Sequence, residues 1–381
     1  MSNEPESPFL TLHEFVKEAK SRLSPGNWDY LVGATETETT MLRNRASIDA
    51  WAFRPRVLRD VSSIDVSGRF LGRSITLPVM LAPVGGLENF DPEGGAPAGR
   101  ATTAYGVPIM VSSVSMPGLQ PMAEATKGGI KVFQLYVRGD FDWICDITQQ
   151  AIDAGYDAFC MTVDTAIYSR RERDIAKRFV KPWRTRATGQ HFQAALNWDD
   201  VKRWKARFPN TPLALKGIAT AEDAAIACEH GVEVVYVSNH GGRQLDHGRG
   251  ALAVLPEVVK AVDGRAKVWI DGGFSRGTDI VKAIALGAEL VGIGRLYCYA
   301  PGRGRGGRCR ADAAAAGDRG ARGARPARRH RLRPARRQLP APGRAGGATA
   351  CAQRLPADQS GGPRLPLARL RHRRRLSTLT G

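Results

Sequence analysis

Between about residues 75 and 295, short apolar runs rich in β-branched side chains alternate with stretches whose apolar positions recur at a helical period. Eight runs have this character, at 79–82, 109–111, 132–135, 158–162, 213–215, 234–237, 268–270 and 290–293. Each is nearly continuous in apolar residues, as suits a strand covered on both faces, and the alternation predicts repeated βα units about a parallel sheet. Eight such units close a barrel, so the expected fold class is α/β, a (β/α)8 TIM barrel behind an N-terminal helical segment. The clearest intervening helices are at 221–229 and 278–286, the second following a Gly-rich turn with Thr278 as its cap. The connection after the fourth run, through KPWRTRATGQHFQAALNWDD at 181–200, is far longer than the others and reads as a lid or a partly disordered loop. Residues 1–75 read as a helical lead-in, with turns of helix at 13–20 and 27–32 and an extended FRPRVL.

This pattern stops after residue 300. Arg, Ala, Gly and Pro supply 58 of the last 81 residues, and Val, Ile, Met, Phe, Tyr, Trp, Asn, Lys and Glu are absent from them. No core can be built from that composition. The segment holds 21 Arg and three Asp, so nearly all of the chain's net charge of +19 belongs to it, while the first 300 residues carry 35 basic against 34 acidic side chains. An Arg-rich tail that binds RNA or DNA is one reading, but such segments interleave aromatics or repeat a short unit, and neither occurs here. The preferred reading is a shifted frame: bases that encode PGRGRGGRCR can, one position later, spell LAAAGEAGVV, which continues the eighth βα unit. On that reading the final helix is missing and the tail is disordered. The expected division is a lead-in at 1–75, an incomplete barrel at 76–300 and the aberrant tail at 301–381.

The six cysteines show neither CxxC nor metal-ligand spacing, which fits a reducing compartment, and no metal is expected. The first ten residues, MSNEPESPFL, lack an apolar signal core, and no apolar stretch approaches the roughly 20 residues of a membrane helix. The expected location is cytoplasmic.

In a (β/α)8 barrel the chemistry sits at the C-terminal strand ends. Here these ends are polar: Ser112, Gln134 with Tyr136, Thr162 with Asp164, Lys216, Ser238 with His240, Asp271, and Gly294 with Arg295. The sharpest signal is VVYVSNHGGRQLD at 234–246, a buried strand that ends by presenting a His, two glycines and an Arg. A lone His is commonly structural; one beside Gly-Gly-Arg at a strand end is placed for chemistry, and glycines let the backbone approach a ligand.

SNHGGRQLD, together with WDYLVGATE, FRPRVL, LAPVGG, FQLYV, TVDT, RRERD, LKGI and DGGFSRGTDIVKAIALGAELVGIGR, closely resembles the FMN-dependent 2-hydroxy-acid oxidase and dehydrogenase family over about residues 10–300. The resemblance implies oxidation of a small L-2-hydroxy acid, lactate- or glycolate-like, to the 2-oxo acid. Position by position, it implies His240 as the catalytic base, whose imidazole titrates near working pH, with Asp164 orienting the ring and stabilising its protonated form. Arg243 and Arg171 would clamp the substrate carboxylate, which a guanidinium fork matches, and Tyr30 and Tyr136 would contact substrate. For FMN, Lys216 would face the edge of the ring that becomes negative, Ser112, Gln134, Thr162 and Ser238 would line its polar rim, and Pro83, Val84 and Gly85 would pass along it. Asp271 would hold the ribityl hydroxyls, and Gly272, Gly273, Gly294 and Arg295 the phosphate. Ser275 stands where many relatives carry an Arg, leaving Arg276 and Arg295 as the remaining cations. Gly85 stands where oxidases often carry Ala, a lean toward a dehydrogenase. Oxygen, a quinone or a cytochrome remain open as acceptor, and hydride and carbanion routes use the same base. Family members are often homotetramers. The opposing readings are nucleic-acid binding through the tail and an inactive product of a disrupted gene.

Overall fold

The computed structural model describes residues 9–179 and 188–300, all of them within one compact unit. The expectations for the tail (frameshift, disorder, missing helix) and for residues 181–187 of the long connection lie outside the described residues.

Each of the eight apolar runs forms a strand: β3 Val79–Leu81, β4 Ile109–Ser112, β5 Lys131–Leu135, β6 Ala158–Thr162, β7 Leu213–Ile218, β8 Val234–Val237, β9 Lys267–Ile270 and β10 Leu290–Ile293. All pairs are parallel, and β10 pairs with β3, so the barrel is closed. Closure leaves no exposed strand edge. Helices fill the connections, among them Ala96–Tyr105, Phe141–Asp153, Ala221–Glu229 and Ala251–Val262, the last burying six apolar or small residues against the sheet.

Side chains alternate across each strand, and the alternation explains the site. Outward-facing Ile109, Phe133, Phe159, Leu215, Val235, Ile270 and Val291 join the helices in one core. Inward-facing Met80, Met110, Val132, Cys160, Ala214, Tyr236 and Trp269 form a second core inside the barrel. Two residues further along six of the strands, the same inward face becomes polar: Ser112 after Met110, Gln134 after Val132, Thr162 after Cys160, Lys216 after Ala214, Ser238 after Tyr236 and Asp271 after Trp269. The barrel therefore has an apolar plug below and a polar layer at its C-terminal mouth.

The lead-in departs from expectation. Its helices are α1 Leu12–Arg22, α2 Pro25–Val32 and α3 Thr39–Asp49, but residues 68–75 form an antiparallel hairpin, β1 Gly68–Phe70 with β2 Arg73–Ile75. Phe70 and Ile75 enter the inner core and stopper the barrel's N-terminal end, so this part of the lead-in belongs to the barrel. Its two three-residue strands are too short for periodicity to reveal. Thr278 does not cap its helix, which spans Gly277–Ala285; the Asp279 carboxylate accepts from the N–H groups of Ser275 (3.0 Å) and Arg276 (3.1 Å). The described end of the long connection is tied down: a helix at Gln190–Ala195 carries Gln193, whose side chain accepts from Val137 N–H (2.7 Å) and donates to Thr162 O (2.9 Å).

Candidate active site

A cavity of about 310 Å³ opens at the C-terminal mouth, and its lining includes Tyr30, Pro83, Val84, Gly85, Tyr136, Arg171, Lys216, His240, Arg243, Asp271, Gly272, Gly273, Gly294 and Arg295. Ser112, Gln134, Thr162, Asp164 and Ser238 stand in the layer beneath or beside it. The sequence-predicted residues thus come together from eight strand ends and the N-terminal segment.

The β8 turn presents His240. Three successive residues, His240, Gly241 and Gly242, have φ of 58°, 65° and 78°, and only glycine adopts this left-handed conformation without strain. A His held there costs on the order of 1–3 kcal/mol, and the strain is retained where the imidazole is aimed. Its Nδ1 lies 3.1 and 3.3 Å from the two Asp164 oxygens, and its Nε2 lies 3.1 Å from Tyr136 Oη. Burial pushes the imidazole pKa down and Lys216 adds to this; the Asp164 charge opposes them and is outweighed. For Asp164, burial works upward but the His240 and Lys216 charges win, so its pKa falls. An ionised carboxylate only accepts, so Nδ1 carries the proton and Nε2 the lone pair, to which Tyr136 donates. The imidazole is a neutral base with a fixed tautomer.

Below it, Lys216 Nζ donates to Ser238 Oγ (2.9 Å) and pairs with Asp271 Oδ2 (3.5 Å), while Ser238 Oγ donates to Asp271 Oδ1 (2.6 Å). Burial alone lowers the Lys216 pKa, but Asp271 and Asp164 outweigh it, and the ammonium is kept charged. On the β5–β6 side, Gln134 Nε2 donates to Thr162 Oγ1 (2.9 Å), and Gln134 Oε1 is buried without a donor among the described residues. Such an acceptor calls for an N–H from a ligand.

Two guanidiniums face the cavity near the N-terminal segment. Arg243 donates to Gly33 O (2.8 Å) and lies 5.0 Å above the Tyr30 ring; Arg171 donates to Ser169 Oγ (3.3 Å). Burial, then the Arg243 charge, lowers the pKa of Arg171, and neither Arg has a carboxylate partner among the described residues. Two desolvated like charges of this kind stabilise an anion between them. Tyr30 Oη donates to Gly85 O (2.8 Å).

At β9 and β10, Gly272 and Gly273 have φ of 112° and 85°, and among the described residues no protein acceptor takes the N–H of Gly272, Gly273 or Gly294. Free N–H groups in such a turn form an anion-binding concavity. Of the two cations expected here, Arg276 is exposed and donates to Ser275 O, while Arg295 reaches Gly241 O (3.0 Å), Gly33 O (3.0 Å) and Leu31 O (3.2 Å). The Arg295 guanidinium joins the N-terminal segment to the β8 turn and also lines the cavity.

Several supporting residues were not foreseen. Asn44 on α3 exchanges amide hydrogen bonds with Asn239 (2.9 and 2.7 Å) and accepts from Ala251 N–H (2.9 Å). Asp246, at the end of the SNHGGRQLD run, accepts from Thr40 N–H (2.8 Å) and Thr37 Oγ1 (2.6 Å), capping α3 from a distant part of the chain. Arg138, two residues after Tyr136, also lines the cavity, as do Thr165, Tyr168 and Gln190. Arg138 could have been found by reading two positions past the strand end; Asn44 gives no sequence signal, because its partners are about 200 residues away.

Comparisons with known proteins agree with this geometry. Residues 19–311 match the family described as FMN-dependent dehydrogenase. Glycolate oxidase 3 of Arabidopsis thaliana is 40% identical over 304 residues, covering 74% of this chain and 82% of that one. L-lactate oxidase of Nostoc sp. is 37% identical over 312 residues, covering 75% and 85%. A crystal structure of mandelate oxidase with 3,3-difluoro-2-hydroxy-3-phenylpropionic acid superimposes with a TM-score of 0.75 at 35% identity, covering 83% of this chain and 94% of that one. A further mandelate oxidase structure, at TM-score 0.72 and 34% identity over 80% and 92% of the two chains, holds an FMN adduct.

Proposed function

The chain belongs to the FMN-dependent dehydrogenase family, and from that premise we propose that its cavity oxidises a small L-2-hydroxy acid, lactate- or glycolate-like, to the 2-oxo acid. The residues fit the cofactor. The orphaned Gln134 Oε1 suits an N–H of the flavin's pyrimidine edge, with Ser112, Thr162 and Ser238 beside it; the free N–H groups of Gly272, Gly273 and Gly294 suit its phosphate; Asp271 suits the ribityl hydroxyls. Pro83, Val84 and Gly85 would form the wall along the ring. FMN supplies a two-electron acceptor, and Lys216 sets a positive charge where that acceptor gains negative charge.

The chain's own residues do the rest. Arg171 and Arg243 bind the substrate carboxylate and so fix C2 relative to His240, with the Tyr30 and Tyr136 hydroxyls against the substrate's oxygens. His240 Nε2 takes a substrate proton, and Asp164 stabilises the imidazolium that results. The carrying observation is the His240 pair: a neutral imidazole with its lone pair turned to the cavity, 3.1 Å from a Tyr hydroxyl and 3.1 Å from a carboxylate. The electrons then leave to an external acceptor; the named relatives are oxidases, while Gly85 leans toward a dehydrogenase. For the compartment we keep the cytoplasmic reading, supported by four described cysteines that are all free thiols; among the described residues no helix is long and apolar enough to cross a membrane. The converged site favours this enzyme over nucleic-acid binding through the tail.

His240→Ala should retain FMN yet slow anaerobic flavin reduction by L-lactate or glycolate about 10²–10⁴-fold. Because the folded His240 pKa lies below 6.5, kcat/KM should hold level through neutral pH and fall only below that value, as the base becomes protonated. Reduction at the parent rate in the variant would remove His240 from the reaction.

A further inference from the structure

We propose that the preferred substrates carry a second carboxylate at the end remote from C2, and that Arg138 binds it. The proposal rests on the reading of this cavity as a 2-hydroxy-acid site and narrows its substrate class to 2-hydroxy dicarboxylic acids.

Arg138, Arg171 and Arg243 line the cavity from three strand ends. Arg243 is bonded to Gly33, and the Arg170–Arg171 backbone is held by Thr35 and Glu36, since Arg170 O accepts from Glu36 N–H (2.8 Å) and Thr35 Oγ1 (3.2 Å). Arg171 lies within electrostatic reach of Arg243 and Tyr30, so the two guanidiniums of the clamp stand together. Arg138 comes from a different strand end, on the segment that leaves β5. That segment is held by Gln193 through Val137 N–H, and Tyr136 on it touches His240. The cavity that holds the proton-transfer pair is therefore lined by the clamp and by a third guanidinium from a separate strand end.

Arg138 lines the cavity half-buried, and among the described residues its contacts are neutral: Val137 O at 3.1 Å, Tyr168 Oη at 3.3 Å and the Tyr168 ring at 5.9 Å. Among the described residues it has no carboxylate partner, whereas the more exposed Arg173 and Arg249 hold Glu38 and Glu257. Two of its five N–H donors are used, and the rest can meet an anion as a fork. A second observation points the same way. Thr165 lines the same cavity at 7% exposure, and among the described residues its Oγ1 has no partner, so its hydroxyl can donate to an anion bound there. The neighbouring Gln190 turns its Nε2 to the Thr165 and Ala166 carbonyls (3.2 Å each) and leaves Oε1 as an acceptor. That oxygen disfavours an anion against it, which assigns the second carboxylate to Arg138 and Thr165. An apolar substrate tail would instead strip water from Arg138 and return nothing.

The full chain loaded with FMN tests this with L-lactate against L-malate and L-2-hydroxyglutarate. The kcat/KM for at least one dicarboxylate should exceed that for L-lactate by about tenfold or more, as expected for a charge-assisted contact in a partly desolvated site. Arg138→Met should cut that ratio by about tenfold or more, chiefly through KM, and Arg138→Lys should restore part of it. Without turnover, titration of the flavin absorbance should show 2-oxoglutarate or oxaloacetate binding more tightly than pyruvate, with the difference lost in Arg138→Met. A parent protein that prefers L-lactate, or a variant that lowers both classes equally, overturns the proposal and leaves the oxidase reading intact. FMN retained but reduced by none of these acids overturns both.

Discussion

Gly85 and Val114 determine one wall of the cavity together. A Cβ on Gly85 would stand 2.7 Å from Val114 Cγ2, closer than side chains approach, although the Gly85 backbone itself is not left-handed. Glycine is needed there for room. The Gly85→Ala substitution should therefore raise the KM for substrate or weaken FMN retention, and Val114→Ala added to it should recover most of the loss. A double-mutant cycle on flavin reduction measures this; strict additivity would show that the two do not share the space. The same residue scale shows what was readable. Gln134, Thr162, Lys216, Ser238 and Asp271 were legible because each closes an apolar run, and polar residues in that position are rare unless used. Arg138 was missed because it lies in a loop, where an Arg is ordinarily solvated.

Among the elements, α3 carries the least obvious function. It supplies no side chain to the cavity lining, yet Asn44 clamps Asn239 beside His240, and Arg45 holds the buried Asp279 at the start of the Gly277–Ala285 helix. Its N-terminus is capped by Asp246, whose pKa is held far below the usual carboxylate range: burial opposes this, but hydrogen bonds from Thr37 and the Thr40 N–H outweigh it. Asp246→Ala should lose about 0.5–2 kcal/mol of stability, the usual worth of such a cap, and should also slow substrate reduction by loosening the His240 turn. Chemical denaturation and stopped-flow reduction read the two effects. Unchanged stability would remove the capping role. The eight barrel strands were legible from continuous apolar runs, whereas the β1–β2 hairpin was not, because three residues per strand carry too little pattern.

For the whole molecule, protonation and cofactor both bear on stability. Asp164, Glu38 and Asp246 have folded pKa values below their unfolded ones, so the stability they contribute is present above about pH 4 and is lost as pH falls through the folded values. His240 acts in the same direction: its folded pKa is below 6.5, so acidification below 6.5 first protonates the unfolded chain. Thermal unfolding should move to lower temperature from pH 7 to pH 4. At fixed pH, each tenfold rise in FMN above its Kd should add about 1.4 kcal/mol to stability. Differential scanning measurements at several pH values and FMN concentrations check both; a midpoint indifferent to FMN contradicts a site built for it.

The chain's own order of residues determined the eightfold strand–helix alternation and the polar strand ends, because hydrophobic periodicity and chain adjacency are local properties. It also carried the SNHGGRQLD turn, whose glycines permit a left-handed backbone wherever they occur. The tertiary structure decided which polar residues face inward together, since closing β10 onto β3 brings into one layer side chains separated by more than 150 residues. It also decided that a helix from the lead-in supports the His240 turn and that Arg138 shares a cavity with Arg171 and Arg243. Burial and charge pairing depend on distances through space, and those distances exist only once the barrel has closed.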